Sequence, residues 1–307
     1  MLISVIIPNY NHAKYLDQRI QSILNQTYQN FELIILDDNS PDEGASHRVI
    51  ESYKDNPHVT HIVYNEVNSG SPFKQWDKGI NLAEGTLIWI AESDDYCDTS
   101  LLEKLVYEFK NDPMLTLAYS LSCKVNQNGD KLPIISYKGH GVTRLKGSDY
   151  ITRYMALDNH CKNASACLFK KEAYVRSNKQ YTTYRAGGDV LFWIEIAEQG
   201  NVAIINKELN YFRQHQNKVT PNSIRKGINY YEAKKTYEYI FSRFYISNFR
   251  KLLMLKNIQY LMETSKFESN LIRNDLLDYW GVKPLRGYEK LCIRFIRALK
   301  NRFNLYI

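Results

Sequence analysis

Three carboxylates lie within four residues, at Glu92, Asp94 and Asp95, and they follow directly on an apolar run at residues 87–91. Carboxylates this close repel one another unless a positive charge lies between them. A hard divalent cation such as Mg²⁺ or Mn²⁺ prefers oxygen ligands of this kind, so the segment is a candidate metal site. The alternative is a solvated loop in which Asp98 caps the helix that follows.

Polar and aromatic residues also follow the first two apolar runs of the chain. The first run ends at Pro8, Asn9 and Tyr10, and the second ends at Asp37 and Asp38. In a parallel sheet these ends would lie on the same edge as the carboxylates after residue 91, where open α/β sheets bind ligands. Tyr10 could stack on a nucleobase, and either aspartate could accept the N–H of a pyrimidine ring. The alternative is a turn and helix cap.

The elements that would position these residues alternate regularly over the first 125 residues. Short apolar runs predict strands at 3–8, 31–36, 61–64, 86–91 and 115–120, and apolar residues at helical spacing predict helices at 12–25, 44–53, 73–83 and 100–110. This alternation is typical of βαβ units and a parallel sheet in an α/β fold.

The pattern loosens after Val125. The sequence predicts an extended or irregular segment at 131–142, a strand at 164–169, an amphipathic helix at 189–199, and helices from residue 223 onward with a break at 281–287 and a last helix at 288–303. We therefore predict a domain over 1–217, with a nucleotide-binding half at 1–125 and an acceptor half at 126–217. A basic helical region follows at 218–307.

Composition narrows the class of protein. At 307 residues the chain can bury one large core and carry an appendage. Five cysteines without a CxxC pair indicate neither a zinc site nor a disulfide framework, which favours a reducing, cytoplasmic setting. No apolar stretch is long enough to span a bilayer. The first eight residues carry no basic residue and end at Pro8, so they are expected to form a strand and not a signal peptide.

The charge is divided unevenly along the chain. Residues 218–307 hold 18 Lys and Arg against 7 Asp and Glu, a surplus of 11, whereas the whole chain carries +7. Nucleic-acid binding is the general interpretation of such a basic region. The acidic edge at the front of the chain argues against it, and no nucleic-acid partner is expected. A nucleotidyltransferase is disfavoured because residues 8–12 are not a glycine-rich basic loop.

Three segments in order, SVIIPNYN, LNQTYQNFELIILDDNSPD and NLAEGTLIWIAESDD, resemble the family 2 glycosyltransferases of the GT-A fold. The resemblance is strong over the first 125 residues and weaker to about residue 217. It implies a mostly parallel central sheet flanked by helices, with a C-terminal helical extension. It also implies metal-dependent, inverting transfer of a sugar from a nucleotide-sugar, a UDP-sugar, to a hydroxyl acceptor in cell-surface glycan synthesis. The alternative is a catalytically silent nucleotide-sugar or carbohydrate binder on the same scaffold.

The resemblance also implies roles for the residues at the sheet edge. Pro8, Asn9, Tyr10 and Asp38 fall on positions that hold the nucleoside. Asp95 would coordinate a Mg²⁺ or Mn²⁺ ion that bridges the diphosphate, and Asp94 would lie at the metal beside the ribose or sugar. Glu92 stands where the family's motif begins with an aspartate, which makes it a doubtful direct ligand.

The resemblance implies two further contacts to the nucleotide-sugar, one from a residue before this motif in the sequence and one from a residue after it. Many relatives carry an arginine in the helix before the metal strand. Here Lys74 or Lys78 could replace it, with Lys74 favoured, or both could be surface charges. Arg213 and His215 resemble the family's Arg-x-His element, in which the arginine suits phosphate and the histidine can reach the metal. A structural histidine is the alternative.

The remaining histidines, which include His12, His140 and His160, show no ligand spacing.

Asp189 is the candidate catalytic base. It follows Gly187 and Gly188, where a backbone can approach a ligand closely, and it opens an amphipathic helix. Taken alone, the pattern favours a helix N-cap. The resemblance instead implies a base that takes the proton of the acceptor hydroxyl.

The sequence of the last predicted helix indicates that it contacts a membrane or another protein surface. An apolar stripe and a basic side run along it, formed by Leu291, Cys292, Phe295, Ile296, Leu299 and Phe303 and by Arg294, Arg297, Lys300 and Arg302. Such a helix can lie in a membrane interface, which would suit a lipid-linked acceptor at the inner membrane surface. The alternative is docking on the catalytic domain or on a second subunit. The oligomeric state is not predicted.

Overall fold

The computed structural model describes residues 1–133, 140–156, 159–215 and 219–303. Part of the predicted irregular segment at 131–142, the proposed boundary near residue 217, and the side chains of Leu299, Lys300, Arg302 and Phe303 lie outside the described part of the protein.

Strands and helices alternate through the first 125 residues, as predicted. The strands are β1 (Ile3–Asn9), β2 (Phe31–Asp37), β3 (Val59–Tyr64), β4 (Leu87–Ile90), β5 (Tyr96–Cys97) and β6 (Leu115–Val125), and the helices are α1 (Ala13–Leu24), α2 (Ala45–Glu51), α3 (Pro72–Leu82) and α4 (Leu101–Asn111). β1 and β2 are buried along their full length, which fits their mostly apolar, non-alternating sequences. The polar residues inside them, Ser4 and Glu32, are bonded to each other.

The second part of the chain adds three strands and eight helices among the described residues. They are β7 (Val142–Lys146), α5 (Gly147–Tyr150), β8 (Cys167–Lys170), α6 (Lys171–Val175), α7 (Gly188–Ala197), β9 (Asn201–Arg213), α8 (Val219–Arg225), α9 (Ile228–Arg243), α10 (Asn248–Thr264), α11 (Asn270–Trp280) and α12 (Gly287–Phe303). The predicted strand at 164–169 begins later than expected, because Ala164–Ala166 forms a 3₁₀ turn.

The sheet has the predicted architecture. Within the described ranges, nine strands form one sheet in the order β3-β2-β1-β4-β8-β6-β9-β5, and β7 pairs with β9. β1 runs parallel to β2 and β4, β2 to β3, and β6 to β9, whereas β8, β5 and β7 are antiparallel to their neighbours. The ends of β1, β2 and β4 therefore meet at one edge, which we call the carboxyl edge.

Helices cover both faces of this sheet. One core cluster fills the face under α1 and α4, and another fills the face under α3 and α7. The second cluster continues into the C-terminal helices through Tyr239, Ile240 and Met254. The core thus crosses the proposed boundary at residue 217, and α9 and α10 pack directly against the α/β fold.

The last helix packs on α10 through only part of its surface. Ile293 is buried, Glu289 pairs with Lys256 at 2.8 Å, and Arg297 donates to Asn257 at 2.6 Å. Three members of the predicted apolar stripe remain exposed: Leu291 (65%), Phe295 (63%) and Cys292. None of the helices in the described part of the chain is both long and apolar enough to cross a bilayer.

Candidate active site

The ends of β1 and β2 are joined by a buried amide. Nδ2 of Asn9 donates to Oδ1 of Asp37 (2.7 Å), and Asp37 accepts the backbone N–H of Ser40 (3.0 Å). Pro8, Asn9 and Asp37 are all buried, whereas Tyr10 is 45% exposed. Asn9 and Asp37 therefore support the carboxyl edge, and Tyr10 is the ring among them that faces solvent.

Asp38 organises the loop that leads into α3. It is 4% exposed and accepts hydrogen bonds from Nδ2 of Asn65 (2.6 Å), from the backbone N–H and Oγ of Ser69 (2.8 and 2.7 Å), and from Nε2 of Gln75 (2.9 Å). An ionised carboxylate accepts at about four sites, so these donors saturate it. A direct bond from Asp38 to a nucleoside would require one of them to move.

The two candidate lysines border the same loop. Nζ of Lys74 is exposed and donates to the carbonyl of Ser69 (3.2 Å), and Nζ of Lys78 donates to Oδ1 of Asn65 (2.5 Å). Lys78 thus belongs to the network around Asp38. Lys74 has a single exposed contact here and can swing toward an anion at the edge.

Asp95 is buried, contrary to its expected place at the exposed edge. It is 1% exposed, and its oxygens accept from Nδ2 of Asn163 (2.8 Å), Oγ of Ser165 (2.7 Å) and the backbone N–H of Arg213 (2.9 Å). Burial raises the pKa of the Asp95 carboxyl to about 6, and the charge of Asp94 adds to this. The side chain therefore ties β9 and the 3₁₀ turn to the end of β4.

Glu92 accepts a hydrogen bond from a tryptophan, and the pKa of its carboxyl is raised. Its Oε1 accepts from Nε1 of Trp76 (2.9 Å). Burial, with a further contribution from Asp94, raises the pKa of the Glu92 carboxyl to about 8. The buried guanidinium of Arg19, stacked 4.9 Å from the ring centroid of Trp89, opposes this shift. The Glu92 carboxyl thus bonds a protein donor, and it is not part of the group formed by His12, Asp94 and His215.

The side chains of Asp94 and His215 are largely buried (13% and 7% exposed) and contact each other, and His12 lies beside them. One ligand atom from each of the three side chains lies within 4.8 Å of the other two. Nε2 of His215 is 2.8 Å from Oδ2 of Asp94, and Nδ1 of His12 is 2.9 Å from Oγ of Ser93. His12 thus lies beside Asp94 and His215, although it shows no ligand spacing in the sequence. Its position just after β1 places it at the carboxyl edge, and that position was the signal available in the sequence.

The chemistry of these three donors fits a divalent ion. Imidazole nitrogen suits transition metals, carboxylate oxygen suits Mg²⁺ and Mn²⁺, and Mg²⁺ is usually bound through oxygen alone. A set of two imidazoles and one carboxylate therefore suits Mn²⁺ better than Mg²⁺.

Arg213 is a buried support of the site. Its Nε donates to the carbonyl of Asp94 (2.8 Å), Nη1 to the carbonyl of Gln127 (2.9 Å) and Nη2 to Oε1 of Gln18 (2.6 Å), and the guanidinium lies 4.6 Å from the ring centroid of Tyr15. Its donors are thus engaged by protein acceptors. The position favours orientation of Asp94 over direct contact with a phosphate.

Asp189 lies in the first turn of α7 and is partly exposed. Its Oδ2 accepts from Nδ2 of Asn159 (3.0 Å). Burial of the carboxylate raises the pKa of Asp189 to about 6, and the hydrogen bond from Asn159 opposes the shift. A carboxylate with a pKa near the working pH is well suited to general-base catalysis.

One short segment connects Asp189 to Asp95. Asn159 bonds Asp189, and Asn163 and Ser165 bond Asp95. Four residues of extended chain span at most roughly 14 Å, so the two aspartates are held on the same side of the molecule. Sequence reasoning missed this segment, because asparagine and serine in an irregular stretch carry no distinctive spacing.

Comparison with known proteins identifies the family. The family described as glycosyl transferase family 2 matches residues 4–175, more than half of the chain. The chain belongs to glycosyl transferase family 2. The matched residues include the carboxyl edge and Asp94 but stop before Asp189, Arg213 and His215, so the placement of those three rests on the geometry above.

Several bacterial glycosyltransferases are similar to this chain in sequence. An uncharacterised glycosyltransferase of Haemophilus influenzae is 35% identical over 150 residues, which are 48% of this chain and 59% of that protein. TuaG of Bacillus subtilis, named for teichuronic acid biosynthesis, is 25% identical over 237 residues (77% and 86%). TarP of Staphylococcus aureus, a poly(ribitol-phosphate) β-N-acetylglucosaminyltransferase, is 27% identical over 217 residues (68% and 62%). The chain thus spans about three fifths of the Haemophilus relative.

The fold is shared with solved structures of S. aureus TarS. Residues 1–349 of TarS in complex with UDP-GlcNAc superpose with a TM-score of 0.68 at 17% identity, over 98% of this chain and 89% of that chain. The TarS complex with UDP superposes with a TM-score of 0.57 at 16% identity, over 98% of this chain and 92% of that chain. The predicted GT-A fold is confirmed.

Proposed function

We propose that this protein transfers a sugar from a UDP-sugar to a hydroxyl group of a glycan or lipid-linked acceptor, with inversion at the anomeric carbon. One observation carries the proposal: the segment 159–165 bonds both Asp189, a carboxylate suited to act as a base, and Asp95. Asp94, the neighbour of Asp95 in the chain, offers a metal-ligand atom together with His12 and His215. A silent binder would not need the base, so its presence argues against that alternative.

Each side chain of the site has a proposed task. The exposed ring of Tyr10 stacks on the base of the nucleotide, and the loop around Asp38 and Lys74 borders the donor. The Asp189 carboxylate accepts the proton of the acceptor hydroxyl while that oxygen attacks the anomeric carbon and the bond to the departing UDP breaks. A Mn²⁺ or Mg²⁺ ion bound by the His–Asp–His set would neutralise the charge of the diphosphate.

The nucleotide and the acceptor class are inferred from the relatives. TarS has been solved with UDP-GlcNAc and with UDP, and TuaG and TarP are named for cell-wall polymers. We infer a UDP-sugar donor and a role in surface polysaccharide synthesis on the cytoplasmic side of the membrane. We also retain the division into a donor half at 1–125, an acceptor half at 126–217 and a helical region at 218–307 as part of this proposal.

The direct test is release of free nucleotide from a panel of UDP-, GDP-, dTDP- and CMP-sugars, with Mn²⁺, with Mg²⁺ and with EDTA, in the presence of candidate acceptors. Thermal stabilisation by the same donors is measured in parallel. Turnover of one UDP-sugar that EDTA abolishes supports the proposal. Donor binding without turnover for every acceptor would instead favour the silent binder.

The pKa of Asp189 predicts how the reaction depends on pH. Because the protonated carboxyl cannot accept a proton, we expect kcat to rise with pH through about 6 and then level off. Asn159→Ala removes a hydrogen bond that lowers the pKa of Asp189, so the variant should shift this limb of the kcat profile to higher pH. The measurement is kcat at saturating substrates between pH 4.5 and 8, with the donor Kd determined at each pH. If the donor Kd showed the same dependence on pH, or if the kcat profile did not shift in Asn159→Ala, the role of Asp189 as the base would be contradicted.

The exposed apolar surface of α12 predicts contact with an anionic membrane. Deleting α12 would also expose the part of α10 on which Ile293 packs. The double substitution Leu291→Ser and Phe295→Ser changes only exposed residues and is therefore the more specific test. We expect the double variant to sediment several-fold less with phosphatidylglycerol vesicles than the native protein does. The matched control replaces two exposed residues of the catalytic fold, Tyr107 and Met114, with serine. Equal sedimentation of all three proteins would leave α12 as a packing element.

A further inference from the structure

Glu232 of α9 reaches from the C-terminal helices to the loop that precedes α7. Its Oε1 accepts the backbone N–H of Arg185 (2.6 Å), and its Oε2 accepts the backbone N–H groups of Ala186 (3.0 Å) and Gly187 (2.7 Å). The side chain is largely buried, with 8% of the residue exposed. A single carboxylate thus takes three consecutive amide protons of a loop about 45 residues away in the chain.

This arrangement stabilises a backbone conformation that the loop cannot hold by itself. Consecutive amides that converge on one point form an anion-binding nest, and charge-assisted hydrogen bonds to them are stronger than neutral ones. Gly187 is the N-cap residue of α7 and supplies no side-chain cap. The carboxylate of Glu232 therefore holds the backbone that leads into α7, at residues 185–187.

Asp189 lies two residues beyond the anchored loop, in the first turn of α7. The intervening Gly188 is closely packed, because a Cβ atom there would lie 2.7 Å from the ring of Phe73. The path of the loop consequently determines where the carboxylate of Asp189 points.

The position of Glu232 is itself well supported. Further along α9, Tyr239 and Ile240 belong to the main core, together with Leu191 of α7. The Thr236 hydroxyl donates to the backbone carbonyl of Glu232 at 3.2 Å. Because both helices share one core, the carboxylate is presented to the loop at a constant distance.

We propose that Glu232 is a positioning residue for catalysis, which holds the Arg185–Gly187 loop so that Asp189 faces the acceptor hydroxyl. The C-terminal helical region is then part of the catalytic centre, through a residue that the family match at 4–175 does not reach. This inference rests on the proposed role of Asp189 as the base.

The test compares Glu232→Gln with Glu238→Gln, an exposed carboxylate on the same helix. A misplaced catalytic group can lower a rate by as much as about 100-fold, so we expect kcat of Glu232→Gln to fall roughly 10- to 100-fold. Donor Kd should stay within about twofold, and the amides of residues 185–187 should exchange with deuterium faster than in the native protein. Glu232→Asp, which keeps the charge, should recover part of both properties, and Glu238→Gln should match the native protein.

Asp189→Asn separates this inference from the proposed function. If Asp189 is the base and Glu232 acts through it, adding Glu232→Gln to Asp189→Asn should not lower the residual turnover further. Native turnover in Asp189→Asn would overturn the base assignment. Loss of turnover in Asp189→Asn, with Glu232→Gln indistinguishable from Glu238→Gln, would overturn the role of Glu232 alone. If Glu232→Gln does not fold, the native protein still provides a test. Rapid deuterium exchange of the amides of residues 185–187 in the native protein would overturn the role of Glu232.

Discussion

Replacement of Asp189 with asparagine is expected to lower kcat by about 10²- to 10⁴-fold, the usual range for loss of a general base, while donor affinity is retained. The amide has nearly the shape of the carboxylate and can still contact Asn159, but it cannot accept the proton of the acceptor hydroxyl. The measurement is nucleotide release at saturating donor and acceptor, with donor Kd determined by calorimetry.

Two further variants make this result specific. Asp189→Glu keeps a carboxylate at the start of α7 and should retain more activity than the asparagine variant. Asp278→Asn changes an exposed aspartate on α11 and should behave as the native protein. If Asp189→Asn kept native turnover, the side chain would return to the interpretation as a helix cap. A parallel loss of donor binding would indicate a structural role.

Replacement of Asp94 with asparagine is expected to abolish most metal-dependent transfer. Asp94 offers the single carboxylate of the candidate metal site, with His12 and His215 as the nitrogen donors. Changes at groups that merely support a metal ligand weaken binding by about 10- to 100-fold, so the loss of this ligand should reach at least the upper end of that range. The measurement is titration of the purified protein with Mn²⁺, followed by the electron paramagnetic resonance signal of the free ion.

The histidines of the candidate site allow a matched comparison. His12→Gln should weaken Mn²⁺ binding, whereas His140→Gln, which changes an exposed histidine elsewhere, should not. Mn²⁺ affinity that is unchanged in both Asp94→Asn and His12→Gln would remove the metal from this site. Asp95→Asn is a less decisive variant, because Asp95 accepts three protein hydrogen bonds and an amide in its place would also disturb β9.

The carboxyl edge could be predicted from the sequence because it depends on local patterns. Mostly apolar, non-alternating runs at β1, β2 and β4 identify strands buried on both faces, and parallel strands end on one edge whatever the details of packing. The residues that follow each run, Tyr10, Asp38 and Asp94 among them, were therefore assigned to one edge without a structure. The family resemblance added roles to positions that the pattern had already brought together.

The choice between neighbouring carboxylates required the tertiary structure. Residues 92–95 form a turn in which the backbone N–H of Asp95 donates to the carbonyl of Glu92 (3.2 Å). Along residues 92–95 the burial alternates, with Glu92 and Asp94 partly exposed and Ser93 and Asp95 buried. Sequence alone does not reveal which side faces the solvent, because that depends on how β9 and the 3₁₀ turn pack against the end of β4.

Contacts between segments far apart in the chain were also outside the reach of the sequence. His12 meets His215, Arg213 meets Gln18, and Glu232 caps the loop before Asp189. Each contact joins segments far apart in the sequence, and each depends on where the helices close over the sheet. The sequence by itself determined the carboxyl edge and the residues that lie along it, and the packing of distant segments decided which side chains face that edge and which support it from behind.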